Sequence, residues 1–598
     1  MVRFVGVIML SLGMLSAAPK TFLNLDFETA TRGMAWGWVP ANSSGFLFAA
    51  DGEVAFSGAR SLRIANTGAA PGTTAATYQH FPIEIIRGRH VHLSGYIQTS
   101  GITGYAGYWM RVVGPSGERL GFNDMSGIGP GGSTGWQQYS FEVDVSPDAV
   151  DVLFGTVQKG DGTAWFDQVA ITLDGLPYED AAAPNTGEPA ASQLQWLART
   201  AVPFISPNPS SDLADLSGVS GIVGDAHLVG LGEGTHGTSE FFQMKHRILE
   251  YLAGKQGFTV FAMEANMPEC EQMNQYVLTG QGDPKNLLQA LHYWTWNTQE
   301  VLDMIGWIRQ YNAAGKGPIL FTGFDMQYAA VAAGNVRDFV ARAEPSYLPT
   351  VQSVYGQAVP ISESYMGGTA QSTAAVQPVV GAVHAVWSHL WEKRAQYLAS
   401  FPAREVDWAI QSSVVVEQAT YNTIAPATYR DQAMAANMEW ILQRNPGARA
   451  VLWAHDQHVW KEPQAMGSFL AANHGADYVA FGQIFHAGSY NAIGQPGGLQ
   501  AWPAEASFPG TVEYAFHSLG KPWCMLDLRR ASGASPSRRV IRHALGGPGG
   551  AWLLGPVQYR MVGSMAIDGF LYSDRLAQDF DALIFFDQST PSRLLPFN

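Results

Sequence analysis

Cysteine is almost absent from this sequence. Only Cys270 and Cys524 occur among 598 residues, so a disulfide-based scaffold is excluded and no C-x-x-C pair is present for a metal. We expect two buried thiols rather than a bridge between them.

Basic residues are also scarce. The chain has 35 Lys and Arg against 50 Asp and Glu, which gives a formal net charge of -15. Such a balance provides no electrostatic basis for binding nucleic acid or an anionic membrane surface. Neutral or cationic small partners suit this charge better.

The N-terminus carries a short apolar run between a basic residue and a group of small residues. Arg3 precedes the apolar residues 4–15, and Ser16, Ala17 and Ala18 follow them. This order is typical of a secretory signal, and the run is too short for a membrane-spanning helix. We therefore predict a signal peptide over 1–18 and an extracytoplasmic mature protein, periplasmic or secreted, without a membrane span.

The pattern of apolar residues predicts two domains. Residues 20–176 show short alternating strands separated by Gly, Ser, Asn and Pro, which indicates an antiparallel β-sandwich of jelly-roll type. Residues 177–192 have no apolar period and predict a linker. From 193 to 598, near-continuous apolar strands alternate with helices, which predicts a three-layer α/β/α domain with a mainly parallel sheet. Helical periodicity over about 328–447 predicts a large helical insertion that covers the site.

The stretch "LVGLGEGTHG" fits two functions. Gly232, Gly234 and Gly237 satisfy G-x-G-x-x-G between a strand and a helix, the context of a dinucleotide-binding loop. However, Glu233 lies among those glycines and would repel a pyrophosphate. We therefore favour an acid/base role for Glu233 and His236. A G-x-S-x-G match around Ser133 precedes a strand rather than a helix, so it lacks the setting of a nucleophilic serine.

Ionisable side chains follow four successive strands of the second domain. Ligands bind outside the carboxyl ends of strands in open parallel sheets, so these side chains are expected to line one catalytic cleft. They are Glu233 and His236 after the first strand, Glu264 at the second, Asp325 at the third, and His455, Asp456 and His458 after the fourth.

The second domain resembles the erythromycin esterase family of hydrolases. The resemblance covers about 195–598 and is carried by six segments in order: "GLGEGTHGTSEFF", "FTVFAMEAN", "TWNTQEVLDMIGWIRQYN", "FTGFDMQ", "YRDQAMAANMEWIL" and "VLWAHDQHV". It implies an α/β hydrolase of esters or lactones, with macrolide degradation and a response to antibiotics as family functions.

The resemblance also implies roles for individual residues. His236 matches the histidine that activates water, and the accompanying catalytic positions fall on Glu233, Glu264, His455 and His458. The basic residue of the first helix falls on Lys245, where the family has arginine; a lysine cannot make a planar bidentate contact. We expect the substrate to contact Lys245, Asp325 and Trp296. The substrate itself stays open among a macrolide lactone, an acylated polysaccharide and a peptidic ester.

The resulting hypothesis needs no cofactor for catalysis. His236 takes a proton from water while Glu233 or Glu264 orients its ring. His455 and His458 donate to the carbonyl oxygen or to the leaving alcohol. Two alternatives remain open: a zinc-dependent hydrolase whose metal is held by His236, Glu264, His455 and His458, and a non-catalytic glycan-binding protein.

The first domain is similar to the carbohydrate-binding jelly rolls attached to glycan-acting enzymes, which implies a carbohydrate ligand. Its aromatic residues could stack on sugar faces or pack in the core: Trp36, Trp38, Tyr105, Tyr108, Trp109 and Trp136. Asp26 and Asp167 are predicted on terminal strands, where they could share a structural calcium.

Overall fold

A computed structural model describes residues 22–596 of the chain. The exceptions are residues 32, 42–44, 115–117, 181–182, 184–185, 210–211, 427, 495–497, 530–548, 567–568 and 574–575. The predicted signal peptide, residues 1–18, lies outside the described residues. The chain divides into two compact units that meet in sequence at residue 183, inside the predicted linker segment. We call them the β unit and the α/β unit.

The β unit consists of short strands and one helical turn. They are β1 (Ala30–Thr31), β2 (Met34–Ala35), β3 (Val39–Ala41), β4 (Phe46–Asp51), β5 (Ser61–Asn66), β6 (Thr74–His80), α1 (Ile83–Ile86), β7 (His90–Ile102), β8 (Ala106–Val113), β9 (Arg119–Asn123), β10 (Gly132–Asp144), β11 (Asp151–Lys159), β12 (Thr163–Leu173) and β13 (Leu176–Pro177).

Two antiparallel sheets make up most of the β unit. One has the order β10-β7-β12-β5-β4, with β13 beside β12, and the other has the order β3-β6-β11-β8-β9. Alternate side chains of both sheets, such as Leu93 of β7 and Phe154 of β11, pack into one apolar core. The predicted antiparallel first region is thus confirmed, whereas its jelly-roll type stays a prediction.

The two predicted calcium ligands of the β unit accept hydrogen bonds from backbone amides. The Asp167 carboxylate is buried and accepts hydrogen bonds from the amides of Phe56 (2.8 Å), Ser57 (3.0 Å) and Gln168 (2.7 Å). Asp26 is exposed and accepts from the amide of Glu28 at 3.2 Å. A calcium ion shared by Asp26 and Asp167 therefore stays a prediction.

The α/β unit begins with α2 and alternates strands with helices. Its elements are α2 (Ala191–Thr200), β14 (Val202–Pro203), α3 (Ser217–Val223), β15 (Leu228–Leu231), α4 (Ser239–Gln256), β16 (Phe258–Asn266), α5 (Met267–Thr279), α6 (Pro284–Gln289), α7 (Gln299–Ala313), β17 (Leu320–Asp325), α8 (Ala330–Ala343), α9 (Leu348–Met366), α10 (Thr373–Glu392), α11 (Arg394–Leu398), α12 (Ala403–Asn422), α13 (Tyr429–Arg444), β18 (Arg449–Trp453), α14 (Asp456–Val459), α15 (Met466–His474), β19 (Tyr478–Gly494), β20 (Gly498–Ala504), α16 (Val512–His517), β21 (Trp523–Asp527), β22 (Val557–Met561), β23 (Gly569–Ser573), α17 (Leu576–Asp579) and β24 (Ala582–Ser589).

The central sheet has the order β14-β21-β24-β19-β15-β18-β16-β17, with β20 beside β19. Its pairs from β24 to β17 are parallel, which confirms the predicted α/β architecture. Along β18, Ala450 and Leu452 join one apolar cluster while Val451 and Trp453 join another. Both faces of the sheet are therefore covered, which explains why its central strands carry near-continuous apolar runs.

Helices α8 to α13 occupy 330–444, between β17 and β18, where the sequence predicts a helical insertion. They pack in the same apolar cluster as one face of the sheet. Across the described part of the chain, none of the helices combines the length and apolar character needed to cross a bilayer.

Candidate active site

The glycines of the loop after β15 allow close packing against protein groups. A Cβ atom at Gly232 would collide with the Asp456 carboxylate, and one at Gly237 would collide with the backbone of Asn491. The loop therefore has protein, and not open space for a phosphate, against its glycines. This geometry supports the acid/base interpretation of the loop over the dinucleotide interpretation.

His236 is held by a carboxylate that is itself held by a lysine. The Nδ1 atom of His236 lies 2.7 Å from Oε1 of Glu233, and Nζ of Lys245 donates to Oε2 of Glu233 at 2.6 Å. Because a carboxylate accepts, Nδ1 carries the hydrogen and Nε2 keeps its lone pair. Within the described residues, no protein group bonds to Nε2, and the His236 side chain is 12% exposed.

Two aromatic rings fix the orientation of His236. The Trp296 ring meets it edge-on at a centroid distance of 5.5 Å, and the His455 ring lies 4.9 Å away. Trp296 is buried, and its indole N–H donates to the backbone oxygen of Glu264 at 2.8 Å. The expectation that Trp296 contacts the substrate is corrected, because its faces and its polar atom are occupied by protein.

His455 is likewise a supporting residue. Its Nε2 donates to the backbone oxygen of Val562 at 3.0 Å, and its Nδ1 accepts from the amide of Gln457 at 3.2 Å. Burial lowers the pKa of His455 well below its usual range, and the neighbouring His236 and His458 act in the same direction. His455 is therefore neutral with both ring nitrogens engaged, which corrects the expectation that it donates to the substrate.

Arg430, at the start of α13, joins the other charged groups of the site. Its Nη2 donates to Oε1 of Glu264 at 2.8 Å and to Oδ2 of Asp325 at 2.7 Å, while its Nε donates to Oδ1 of Asp325 at 3.2 Å. Asp325 is fully buried, whereas the Arg430 side chain is 22% exposed. Of these two groups, the Arg430 side chain is the one that solvent reaches, and Asp325 positions it. A contact between Asp325 and substrate stays a prediction.

His458 is the second cation beside Glu264. Its Nδ1 donates to Oδ1 of Asp431 at 2.8 Å, and its Nε2 lies 3.3 Å from Oε1 of Glu264 and 3.1 Å from Nη1 of Arg430. Burial lowers the pKa of His458, but the charges of Glu264 and Asp431 outweigh burial and raise it to about 10. A protonated ring donates from Nε2 to Glu264, and the 3.1 Å approach of Arg430 Nη1 is then a contact between two donors, because a guanidinium cannot accept.

Glu264 is the carboxylate that contacts Arg430, His458 and the backbone amide of His455. Burial alone would raise its pKa, but the charges of His458 and Arg430 hold it well below its usual range. Its Oε2 accepts from the backbone amide of His455 at 2.9 Å. With both oxygens engaged by these donors, Glu264 does not orient His236; Glu233 does.

Lys245 lies beneath the site and not in the cleft. It is fully buried, bonds the backbone oxygen of Ala454 at 2.9 Å, and lies 4.7 Å from the centre of the Trp453 ring. Burial lowers its pKa, and the charge of Glu233 opposes that shift. The expected contact between Lys245 and substrate is therefore corrected: this ammonium fixes Glu233.

The predicted zinc ligands are engaged by protein groups. His455 and Glu264 are saturated as described above, and Nδ1 of His236 faces Glu233. The Arg430 guanidinium lies between Glu264 and Asp325, where it neutralises both. Within the described ranges, no group of three or more His, Cys, Asp or Glu side chains is arranged to hold a metal ion.

Glu269, on α5, is a buried acid next to this charged cluster. Its Oε1 accepts from Asn266 at 3.3 Å and lies 3.9 Å from Nε2 of His292, and its Oε2 has no hydrogen-bond partner among the residues that the structure describes. Burial raises the pKa of Glu269 from 4.5 to about 7, and the charge of Asp325 adds to the shift.

We expect Glu269→Gln to reduce the pH dependence of stability. The folded chain keeps the Glu269 proton up to about pH 7, whereas the unfolded chain loses it near pH 4.5. The free energy of unfolding should therefore fall as the pH rises through this window. The difference in pKa corresponds to about 3 kcal/mol in the free energy of unfolding. Wild type should lose this amount as the pH rises, and Glu269→Gln should not. Calorimetric unfolding between pH 4 and pH 8 measures this difference.

Glu271→Gln is the matched control, because Glu271 lies on the same helix with its side chain partly exposed. It should keep the wild-type pH dependence. An equal fall of stability in wild type and Glu269→Gln would contradict the interpretation of Glu269.

Sequence reasoning missed the groups supplied by the helical insertion and by the C-terminal region. Arg430 and Asp431 lie in the quoted segment "YRDQAMAANMEWIL", so an Arg-Asp pair at a helix start was a usable signal. The Val562 carbonyl that binds His455 has no sequence signature. Asp456 was recognised at its strand end, but its burial, which raises the pKa of its carboxyl well above the usual range, was not.

Comparisons with known proteins agree with this architecture. The family model described as Erythromycin esterase matches residues 254–589, which include Glu264, Arg430 and His458. The chain is 29% identical over 161 residues to "Erythromycin esterase type II" of Escherichia coli, 27% of this chain and 35% of that protein. It is 30% identical over 132 residues to "Putative hydrolase YbfO" of Bacillus subtilis (strain 168), 22% of this chain and 28% of that protein. The alignments thus span about a third of these curated relatives.

Solved structures cover the α/β unit more fully. A crystal structure of a Bacillus cereus protein shares 26% identity with a TM-score of 0.60, covering 68% of this chain and 100% of that chain. A mutant of the erythromycin esterase EreC in its open conformation shares 15% identity with a TM-score of 0.51, covering 70% and 100%. The second likeness is one of fold.

Proposed function

Because this chain belongs to the erythromycin esterase family, we propose that it hydrolyses carboxylic esters or lactones with a water molecule activated by His236. The observation that carries this proposal is the hydrogen bond that holds the His236 imidazole to Glu233. Glu233 holds Nδ1 at 2.7 Å, so that Nε2 is the atom left to act as a base.

The reaction begins with the attack of water. The water oxygen forms a bond to the carbonyl carbon while its proton passes to Nε2 of His236. The Lys245 ammonium keeps Glu233 in place, and Glu233 stabilises the imidazolium that forms. Contacts with the Trp296 and His455 rings on either side help to hold the His236 ring in this orientation.

Arg430 and His458 supply positive charge for the tetrahedral intermediate. The Arg430 guanidinium is held by Glu264 and Asp325 and is partly exposed, so it can donate to the developing oxyanion without reorganisation. When the intermediate collapses, the bond from carbon to the alcohol oxygen breaks. His236 then returns its proton to the leaving alkoxide, which yields an acid and an alcohol.

The proposal assigns no metal to this reaction. The cationic role that zinc would fill in the alternative mechanism falls to Arg430, and the ring nitrogens of His455 are bonded to protein. The non-catalytic alternative is disfavoured by the cost of burial. Burying the polar side chains of Glu233, Lys245, Glu264 and Asp325 together costs free energy of desolvation, and apolar packing could provide the same stability.

We propose further that the mature chain is exported and that the β unit binds a carbohydrate. Trp36, Trp38 and Tyr108 are buried in its core and are not available for stacking. Accessible aromatic residues include Phe56, whose ring stacks on Tyr96 at 3.6 Å, and Trp136, 6.0 Å from Phe56. Tyr105 and Trp109 are also partly exposed.

A substrate panel tests the activity. Purified protein is incubated in heavy-oxygen water with nitrophenyl esters, macrolide lactones and acetylated oligosaccharides, and products are weighed by mass spectrometry. We expect at least one member to gain one water, with the heavy oxygen in the carboxylic acid. Absence of any hydrolysed product from folded protein would contradict the esterase proposal.

A further inference from the structure

A second cavity lies in the α/β unit, away from the catalytic residues. Its volume is about 610 Å³, within the range of small-molecule sites. We call it the tryptophan cavity. It is lined by side chains from β16, α5, β17 and the facing ends of α12 and α13: Val260, Glu271, Asn274, Gln275, Leu320 and Phe321 on one side, and Arg404, Glu405, Trp408, Trp440, Arg444 and Asn445 on the other.

The tryptophan cavity is at the opposite end of the strands from the catalytic site. Val260 lines the cavity, whereas Glu264 lies four residues further along β16. At the rise of an extended strand, that separation is about 13 Å. A ligand in the cavity therefore does not reach His236 or Arg430 and would occupy a site of its own.

The edge of β17 beside the cavity is already protected against pairing with another strand. Asn312 bonds both the amide and the carbonyl of Ile319, at 2.7 and 2.9 Å, and Oδ1 of Asn274 accepts from the amide of Phe321 at 3.1 Å. Side-chain amides thus replace a neighbouring strand. The cavity is consequently unsuited to an added peptide strand.

Asn274 is a polar residue of the cavity wall. It is 7% exposed, and its Oδ1 accepts from the amide of Phe321. Among the described residues no protein group accepts from its Nδ2, and the residue lines the cavity. An amide donor that the protein leaves available beside a cavity favours a ligand that carries hydrogen-bond acceptors.

Two tryptophans form the apolar wall. The ring centroids of Trp408 and Trp440 lie 6.0 Å apart with an angle of 46° between the planes, and both rings are partly exposed. They provide flat apolar faces with indole N–H donors at the edge. A ligand with flat C–H faces and hydroxyl groups at its rim matches this combination.

The charges around the cavity are already neutralised. Arg404 pairs with Glu271 at 2.8 Å, Arg444 pairs with Asp407, and Glu405 pairs with Arg342. These pairs are partly exposed, with the Arg404 side chain 71% exposed, so each contributes little free energy. A neutral ligand leaves all of them in place, and the cavity wall offers it no unpaired charge among the residues just named.

We propose that the tryptophan cavity binds a short neutral oligosaccharide. The sugar rings stack on Trp408 and Trp440, and a hydroxyl oxygen accepts from Nδ2 of Asn274. Gln275 and Asn445 line the cavity and offer further polar contacts to hydroxyl groups. This site is independent of the sugar-binding surface proposed for the β unit and of the ester chemistry.

The test measures binding of cellobiose, maltose and N-acetylated chitobiose to the full chain by saturation-transfer NMR and calorimetry. At least one disaccharide should bind, and Trp440→Ala should weaken its binding at least tenfold. Gln275→Ala, a smaller change at the rim, should weaken it severalfold. Folding of each variant is checked by its calorimetric unfolding.

Two control variants locate the site. Trp391→Ala changes an exposed tryptophan of α10, and Trp136→Ala changes the β unit; both should retain the Trp440-dependent binding. The proposal fails if no disaccharide binds, or if binding is lost in Trp136→Ala and kept in both cavity variants. It also fails if only the planar probe 2-naphthol binds in a Trp440-dependent manner.

Discussion

His236→Ala is expected to lower kcat roughly 10²- to 10⁴-fold, the usual contribution of a general base. The reason is that Nε2 of His236 has no protein partner among the described residues, whereas both ring nitrogens of His455 are bonded to protein. The fold should survive because Glu233 retains its bond to Lys245. Steady-state kinetics on the best ester of the panel, with circular dichroism as a check on folding, measures this effect.

His227→Gln is the matched control for this substitution. His227 also forms a histidine–carboxylate pair, with Nδ1 2.8 Å from Asp477, but it precedes β15 at the opposite end of the strand. Its replacement should leave turnover unchanged. Added imidazole should restore part of the His236→Ala activity, which a purely structural residue would not allow. An unchanged kcat for His236→Ala would remove His236 from the mechanism.

Arg430→Lys is expected to lower kcat roughly 10²- to 10³-fold, comparable to the loss of an oxyanion donor. Lysine keeps the charge but cannot bond Glu264 and both oxygens of Asp325 at once, as the guanidinium does. The two buried carboxylates would then be poorly compensated, so the melting temperature should also fall. Kinetics and calorimetry on the same preparation measure both effects.

Arg394→Lys controls for a general effect of replacing arginine in the helical insertion. Arg394 bonds Asp407 through its Nε at 2.8 Å and lies outside the catalytic site. It should keep wild-type turnover. If Arg430→Lys loses melting temperature but keeps its kcat, Arg430 is structural and the oxyanion assignment is wrong.

Strand ends could be predicted from the sequence, and their meeting point follows from the strand order. The run β15-β18-β16-β17 places Glu233, His455, Glu264 and Asp325 on consecutive strands. Apolar runs mark parallel strands, and the carboxyl ends of such strands share an edge. The apolar periodicity of the sequence therefore predicts that these residues lie near one another, although it gives no distance between them.

Side-chain depth could not be predicted. The apolar stripe of α4 indicates that Lys245 faces inward, but the same stripe is compatible with a contact to substrate or to Glu233. The structure shows the contact with Glu233: the Lys245 ammonium bonds its Oε2 and packs against the Trp453 ring. The same limit applies to Trp296, whose indole binds the backbone of Glu264.

Contributions from distant segments were also beyond the sequence. Arg430 reaches Glu264 because α13 packs across the end of β17, and this depends on the packing of the whole insertion. The contacts of Lys245 also fit a lysine at this position, where the resemblance implies an arginine. A point charge suffices there, since Lys245 bonds one oxygen of Glu233 and one carbonyl.

The long separations within the site have a consequence for the biogenesis of the enzyme. Lys245 and the Ala454 carbonyl are 209 positions apart, and Glu264 and the amide of His455 are 191 apart. Nε2 of His455 bonds the backbone oxygen of Val562, which lies 107 positions further along the chain. Contacts between residues that are so far apart in the sequence form slowly and late in folding. A nascent chain stalled before residue 562 would thus lack the anchor of His455, and recovered turnover during refolding should lag behind recovered helix content.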